Sequence, residues 1–487
     1  MPSLRGESLA EVAEGVATPG YARGELAAGV VHFGVGGFHR AHQAMYHDRL
    51  MEKGEALEWA ICGVGVMPGD RRMKEVMDAQ DGLYTLVVKH ADGTYEPRVI
   101  GSIAGFLFAP DDPEAVIEKL ADPATRIVSL TVTEGGYNLH NVTGRFDPND
   151  DAVQADLQGG APRTTFGLVT EALARRRERG TGGFTVMSMD NLEGNGHLAR
   201  HAFTAFARLR DPDLADWIEE HARFPNSMVD RITPQTTDDD REAVRKRFRI
   251  EDAWPVVCEP YVQWVLEDDF AAGRPPYEDA GVQVVEDVRP YELMKLRLLN
   301  ASHQALCYFA YLAGYRLVHE AMRDPLIESF VRGYMREEGM PAVPEVPGID
   351  LVEYGDTLIE RFSNPEVRDT VARLCAESSD RIPKWLLPVV RHNLEHGEPV
   401  ERSAAVVASW ARYAEAVDEQ GAPIAVVDRL SDQLTEAARR GEFLEDRELF
   451  GDLADHERFA SAYRDALASL HEHGARATLE RFAQKSV

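Results

Sequence analysis

The stretch VVHFGVGGFHRAH, Val30 to His42, decides how the N-terminal part of the chain is read. A short, largely apolar run that ends in glycines is the pattern of a buried parallel strand before a turn. Gly34 and Gly36 allow a tight turn and let backbone approach a pyrophosphate. The helix that follows offers free N–H groups and the positive end of its dipole. The third glycine position of such a fingerprint, two residues after Gly37, holds His39, whose bulk moves helix away from strand. Three readings fit: a phosphate loop, a glycine-rich structural turn, and a metal site on His39 and His42 with His47 nearby. No cysteine or HExxH partner accompanies those histidines, so no metal is expected and the phosphate loop leads.

Further along, RAHQAMYHDRLMEKG reads as a helix closed by glycine, and EWAICGVGV as a second strand. RIVSLTVTEGG and FTVMSMDNL are two more β-rich runs, with helical patterns such as DDPEAVIEKLAD and TTFGLVTEALARRRERG between the runs. Alternation of this kind predicts a parallel sheet covered on both faces. After about residue 285 strand signals give way to helical ones, from RPYELMKLRLLNASHQALCYFAYLAGY to RFASAYRDALASLHEHG. The expected fold is α/β: a Rossmann-type parallel-sheet domain over residues 1–285, then a mostly α-helical domain over 286–487. The boundary falls near EDVRP, where Pro290 suits the first turn of a helix.

The chain has 487 residues, enough for two or three domains, and a formal net charge of −29. Such a charge repels nucleic acid and anionic membranes, so neither is an expected partner. Cys62, Cys258, Cys307 and Cys375 are far apart and form no CxxC pair, which reads as buried reduced thiols. The N-terminus has no apolar run of a signal peptide, and no stretch approaches the ~18 apolar residues of a membrane span. The expectation is a soluble cytoplasmic protein.

The segment YELMKLRLLNASH, Tyr291 to His303, carries the chemistry. On an α-helix at about 100° per residue, Glu292, Lys295, Leu299 and His303 fall within roughly 80° of arc. Burying Glu, Lys, Asn and His costs several kcal/mol unless they are paired, so the stripe is either a solvated face or a catalytic cluster. Asn191 lies just beyond the β-run of MSMDNLEGNG, at the kind of strand end where open α/β sheets bind ligands. FPNSMVDRITP, with Asn226, Asp230 and Arg231, is either a second such loop or an ordinary capped turn. At the end of the second strand Asp70 could hold the ribose 2′-hydroxyl of NAD, while Arg71 and Arg72 could hold the 2′-phosphate of NADP.

Taken in order, GVGGFHRAH, TEGGY, MDNL, FPNSMVDRITP, WPVVCEPYVQWVLED and MKLRLLNASH resemble the polyol-specific long-chain dehydrogenases. The resemblance continues through GYRLVHEAM, PGIDL and RFSNP, so it spans nearly the whole chain. It implies NAD-dependent, metal-independent oxidation of a sugar alcohol such as D-mannitol to a ketose such as D-fructose, and the reverse. The family pattern Lys-x4-Asn-x2-His is met by Lys295, Asn300 and His303.

Lys295 is then the general acid/base, and must be uncharged part of the time. Asn191 and Asn300 donate hydrogen bonds to the oxygen that becomes alkoxide-like. Glu292, one turn earlier, relays protons between Lys295 and water, and its replacement by alanine would change the pH dependence. His303, Asp230 and Arg373 read the remaining hydroxyls, with Lys384 and Arg381 as further candidates. The cofactor is held by Gly34, Val35, Gly36, Gly37, Phe38, His39 and Arg40, and by Asp70; Glu134 lies toward the nicotinamide end.

Gly69 stands where relatives often have an acidic residue, which implies NAD with weaker discrimination against NADP. The alternatives are reduction of a sugar keto-acid of the fructuronate type, oxidation of D-arabinitol or sorbitol, and a non-catalytic nucleotide-binding sensor. A monomer is compatible with the acidic surface.

Overall fold

The computed structural model describes residues 3–12, 14–139 and 146–484. The chain divides into two compact units, Met1–Arg289 and Pro290–Val487. Among the described residues the first unit has eleven strands. They are β1 (Val30–Phe33), β2 (Ile61–Gly65), β3 (Tyr84–Lys89), β4 (Tyr95–Ile100), β5 (Ile103–Phe108), β6 (Ile127–Leu130), β7 (Thr185–Ser188), β8 (Ser227–Asp230), β9 (Val256–Cys258), β10 (Gln263–Glu267) and β11 (Gln283–Val285).

The central sheet is parallel throughout, in the order β5-β2-β1-β6-β7. All residues of β1, β2, β6 and β7 are buried, as a sheet covered on both faces requires. Side chains alternate between two cores. Val31, Phe33, Val64, Val128, Leu130 and Val186 pack with residues of helices Pro113–Ala121, Thr165–Glu178 and Asn195–Arg210. Val30, Ile61, Ile127 and Met187 pack on the other side with residues of helices Gln43–Glu52 and Arg71–Ala79. Chain order reverses between β1 and β6, so their carboxyl ends flank the switch point where a dinucleotide binds in such sheets.

The α/β alternation predicts this sheet and misses two smaller ones. The β3–β4 hairpin is inserted between β2 and β5, with β9 parallel to β3. A second small sheet has the order β11-β10-β8. It places FPNSMVDRITP partly in a strand, since β8 is Ser227–Asp230.

In the second unit every regular element is helical among the described residues. Its centre is Ala301–Leu312, in which all residues but Tyr311 are buried. Helices Pro325–Tyr334, Val371–Cys375, Glu401–Ala414 and Glu457–Ala483 pack around it. The four cysteines are free and buried. No helix among the described residues is long and apolar enough to cross a membrane.

One carboxylate in this unit is fully buried. Glu338 accepts from the backbone N–H groups of Arg402 (2.6 Å) and Ser403 (2.8 Å) and from the Ser403 hydroxyl (2.5 Å). It thereby satisfies the free N–H groups at the start of helix Glu401–Ala414. Burial pushes its carboxyl up to about 7 despite these bonds. Between the ordinary carboxyl value and about 7 the folded chain binds a proton that the unfolded chain has released. Stability from this group is therefore present at low pH and lost as pH rises through that window. Urea unfolding of wild type and Glu338→Gln between about pH 5 and 8 should show wild type losing about 2 kcal/mol more over this range than the neutral variant does. Equal losses would remove this assignment.

Candidate functional site

The turn after β1 is built around one glycine that nothing else can replace. Gly34 has φ +93°, and an added Cβ would lie 2.1 Å from the Thr131 carbonyl oxygen. Gly36 and Gly37 differ from it. Their added Cβ atoms meet nothing nearer than 3.8 and 3.6 Å, so backbone here is open to a ligand. That room suits a pyrophosphate, and NAD fits the loop on this ground. Val35 is buried in the sheet core, and Phe38 stacks on His42.

The helix read as continuous from this loop is broken. Its first piece is Gly37–Ala41, and the second, Gln43–Glu52, starts after His42 at φ −120°, ψ −92°. His42 Nε2 is drawn to the Gln263 carbonyl (2.9 Å), and Arg231 caps the Ala41 carbonyl (2.7 Å). The dipole behind the loop is thus that of five residues rather than of a long helix.

His39 fills the third-glycine position by stacking on His32, ring centroids 3.5 Å apart and planes 15° from parallel. His32 contacts Ser129 Oγ (2.8 Å) and Thr131 Oγ1 (3.0 Å), and Thr131 Oγ1 donates to the Gly34 carbonyl (2.6 Å). Burial lowers His32 to about 3 and His39 well below its ordinary value, so both rings are neutral. His47 contacts the Trp59 carbonyl (2.8 Å) and the Tyr277 hydroxyl (3.1 Å). His42 and His47 therefore face fold partners, and among the described residues no His, Cys, Asp and Glu cluster of metal-binding kind occurs. Arg40 also turns inward: it donates to the Trp254 carbonyl (2.5 Å) and the Gly36 carbonyl (3.3 Å). That gives Arg40 a core position beneath the loop rather than an exposed cationic one.

At the end of β2, Asp70 Oδ2 accepts from the N–H groups of Val66 (3.0 Å) and Met67 (2.9 Å). Its carboxylate is thereby fixed beside the strand end and only partly exposed. Arg71 pairs with Asp111, and Arg72 lies over the Trp254 ring.

The ends of β6 and β7 are tied by a residue the motif reading passed over. Asp190 accepts from Val132 N–H (3.2 Å), Thr133 N–H (2.9 Å) and the Tyr137 hydroxyl (2.7 Å). Burial raises its carboxyl, and the Tyr137 hydroxyl and the two N–H groups act against that rise. Thr133 is held at φ +63°, a conformation a β-branched residue rarely adopts, so the strain sits just beyond the end of β6. The only sequence signal for Asp190 was its place beside Asn191 at a strand end. Glu134 opens the turn Glu134–Tyr137; its side chain lies outside the described residues.

Asn191 sits at the exposed tip of the next loop. That loop is anchored by Asn195, which donates to the carbonyls of Asp190 (2.9 Å) and Ser227 (2.7 Å). Asn226 accepts from Gly196 N–H (2.9 Å), and Arg231 donates to the Glu259 carbonyl (3.0 Å). Asn226 and Arg231 thus hold the fold together, while Asp230 is buried at the end of β8.

In the second unit the lysine segment departs from the regular helix expected of it. Arg289–Met294 is α-helical, Lys295–Asn300 is a π-helix, and Ala301–Leu312 is α-helical again. The stripe drawn with Leu299 is thereby widened to take in Asn300. In an α-helix residues five apart are separated by about 140°. The i→i+5 bonding of a π-helix, at about 80° per residue, brings residue i+5 to within roughly 50° of residue i. Asn300 therefore joins Leu299 on the side of the helix that carries Lys295.

The π-turn is supported from outside, where the Tyr334 hydroxyl donates to the Arg297 carbonyl (3.0 Å). Glu292, Lys295, Asn300 and His303 are all buried, which rules out the solvated face. Asn300 Oδ1 is buried with no hydrogen-bond partner among the described residues, as in a site built for a polar ligand. His303 packs on Phe362 (4.6 Å). Arg373 pairs with Asp369 through two hydrogen bonds of 2.7 and 2.5 Å. Burial works against the Asp369 charge, but Arg373, with His303 adding, holds this carboxyl below its ordinary value. Arg381 donates to the carbonyls of Arg373 (3.0 Å) and Leu374 (3.2 Å), so it braces that helix, and Lys384 is exposed.

This pairing of a dinucleotide sheet with a buried lysine-bearing helical unit has known counterparts. Residues 28–279 match the mannitol dehydrogenase Rossmann domain and residues 287–471 the mannitol dehydrogenase C-terminal domain. The chain belongs to the mannitol dehydrogenase family. It is 46% identical to a mannitol 2-dehydrogenase of Aspergillus fumigatus, over 98% of this chain and 99% of that one. It is similar in structure to Pseudomonas fluorescens mannitol 2-dehydrogenase, solved as a ternary complex with NAD and D-mannitol. There the TM-score is 0.91 and the identity 44%, over 99% of this chain and 100% of the other. A D-sorbitol dehydrogenase in substrate-free form is also similar, with TM-score 0.91 and 38% identity over 98% and 100%.

Proposed function

We infer that this chain is an NAD-dependent oxidoreductase that converts D-mannitol to D-fructose and back. The observation that carries this is its full-length likeness to an enzyme solved with both NAD and D-mannitol bound. In this reading NAD supplies the acceptor for the hydride that leaves the carbinol carbon. The loop Gly34–Phe38 holds the pyrophosphate and Asp70 the adenosine ribose. Lys295 takes the hydroxyl proton on its Nζ during oxidation and returns one during reduction. Asn300 and Asn191 donate to the oxygen as its charge grows. Glu292 passes protons between Lys295 and water. His303, Asp230 and Arg373 contact the other hydroxyls; the bracing bonds of Arg381 leave it less suited to this, and Lys384, exposed as Arg373 is, stays a further candidate.

The likeness to a D-sorbitol dehydrogenase favours a second substrate. D-Mannitol and D-sorbitol differ only at carbon 2, and oxidation there gives D-fructose from both. The product therefore does not tell them apart, and the initial rate on each polyol does. The test follows NADH absorbance with D-mannitol, D-sorbitol and D-arabinitol, and NADH consumption with D-fructose and fructuronate. D-Mannitol and D-fructose should give the highest kcat/KM. Preference for fructuronate would move the function to sugar acids, and cofactor binding without turnover of any of the five would make the chain a sensor.

A further inference from the structure

The end of β2 is where a dinucleotide enzyme tells NAD from NADP. A carboxylate there accepts from the ribose 2′-hydroxyl, whereas a 2′-phosphate needs cations. Asp70 supplies the carboxylate, and Gly69 before it adds no charge and no bulk. Gly69 is exposed, and an added Cβ would meet nothing within 4 Å. Two arginines follow immediately, so the sequence alone leaves room and charge for a 2′-phosphate.

The tertiary structure withdraws one of these cations in a specific way. Arg71 donates Nη1 to Asp111 Oδ2 (3.1 Å) and Nη2 to Asp111 Oδ1 (2.6 Å). Its guanidinium carbon lies 4.7 Å from the centre of the Phe108 ring. Asp111 can reach because β5 pairs in parallel with β2, with Phe108 opposite Gly65. The loop after β5 therefore lies beside the loop that carries Asp70. The two-pronged pair occupies the same fork of N–H groups that would grip a phosphate, and it adds a negative charge there.

We propose that Asp111 is a cofactor-specificity residue that acts by positioning Arg71, in place of the acidic residue missing at Gly69. This rests on the reading that the β2 end holds the adenosine ribose of NAD. Both partners of the pair are more than half exposed, so removing the Asp111 charge leaves the fold intact.

The test measures binding of NADH and NADPH by fluorescence titration, with kcat/KM for NAD and NADP on D-mannitol alongside. Asp111→Asn should raise the NADP-to-NAD ratio about tenfold, carried by affinity and KM rather than by kcat. Asp111→Glu, which keeps the charge, should stay near the wild-type ratio. Adding Arg71→Ala to Asp111→Asn should remove the gain. A ratio within twofold of wild type in Asp111→Asn overturns the proposal, as does a gain that survives the added Arg71→Ala change. If wild type binds neither nucleotide, the cofactor reading itself falls and takes the proposal with it. If wild type prefers NADH and Asp111→Asn leaves the ratio within twofold of it, only the role of Asp111 falls.

Discussion

Lys295→Ala is expected to lower kcat for D-mannitol oxidation by about a thousandfold while NADH binding stays near wild type. The hydroxyl proton has to leave as hydride departs, and a methyl group cannot take it. General acid–base groups contribute about a hundredfold to ten-thousandfold, and a buried amine with no evident substitute belongs in the upper half of that range. Lys295 is 6% exposed, so water does not readily stand in for it. The nucleotide loop lies in the other unit of the chain, at Gly34–Phe38, and NADH titration separates its function from that of the lysine. Fructose reduction should fall by a similar factor, because the same group then donates the proton. A variant that keeps more than a tenth of wild-type kcat in either direction would take the acid/base role away from Lys295.

Gly34→Ala should cost about 3–4 kcal/mol of stability and abolish measurable NADH binding. The new Cβ would sit 2.1 Å from the Thr131 carbonyl oxygen, which is backbone of the loop after β6 and cannot swing aside. The φ of +93° adds strain for any L side chain. Relief requires the ends of β1 and β6 to move apart at the switch point. Gly36→Ala is the matched control. At φ −94° and with 3.8 Å of clearance, it should fold with near-wild-type stability. Its methyl instead enters the space assigned to the pyrophosphate, so NADH affinity should fall without a change in the unfolding midpoint. Equal stability of the two variants by urea unfolding would show that Gly34 is not a steric requirement of the turn.

The contrast between these glycines marks how far the site is legible before folding. The motif reading treats Gly34, Gly36 and Gly37 alike, and the structure separates them by what each backbone approaches. Similarly, His39 breaks the fingerprint on paper, yet it is accommodated by a stack on His32 from the strand before it. Strand–helix alternation does not reveal the β3–β4 hairpin, a local strand pair with no helix between, although Asp92–Gly93 is a turn signal. Asp190 was missed because its partners Val132, Thr133 and Tyr137 lie on a different strand end.

By itself the sequence determined the fold class, the alternation behind the parallel sheet and the helical second half. These rest on periodicity and on turn-forming residues, which act over a few positions along the chain. Only the tertiary structure decided that Lys295 and Asn300 share a π-turn, that Asp190 joins two strand ends and that Asp111 holds Arg71. Each depends on a partner distant in sequence: Tyr334 donating to Arg297, Asp190 reaching Thr133, Asp111 meeting Arg71 across neighbouring strands. Local pattern sets which elements form, but a hydrogen bond or ion pair between elements exists only once packing has brought both groups together.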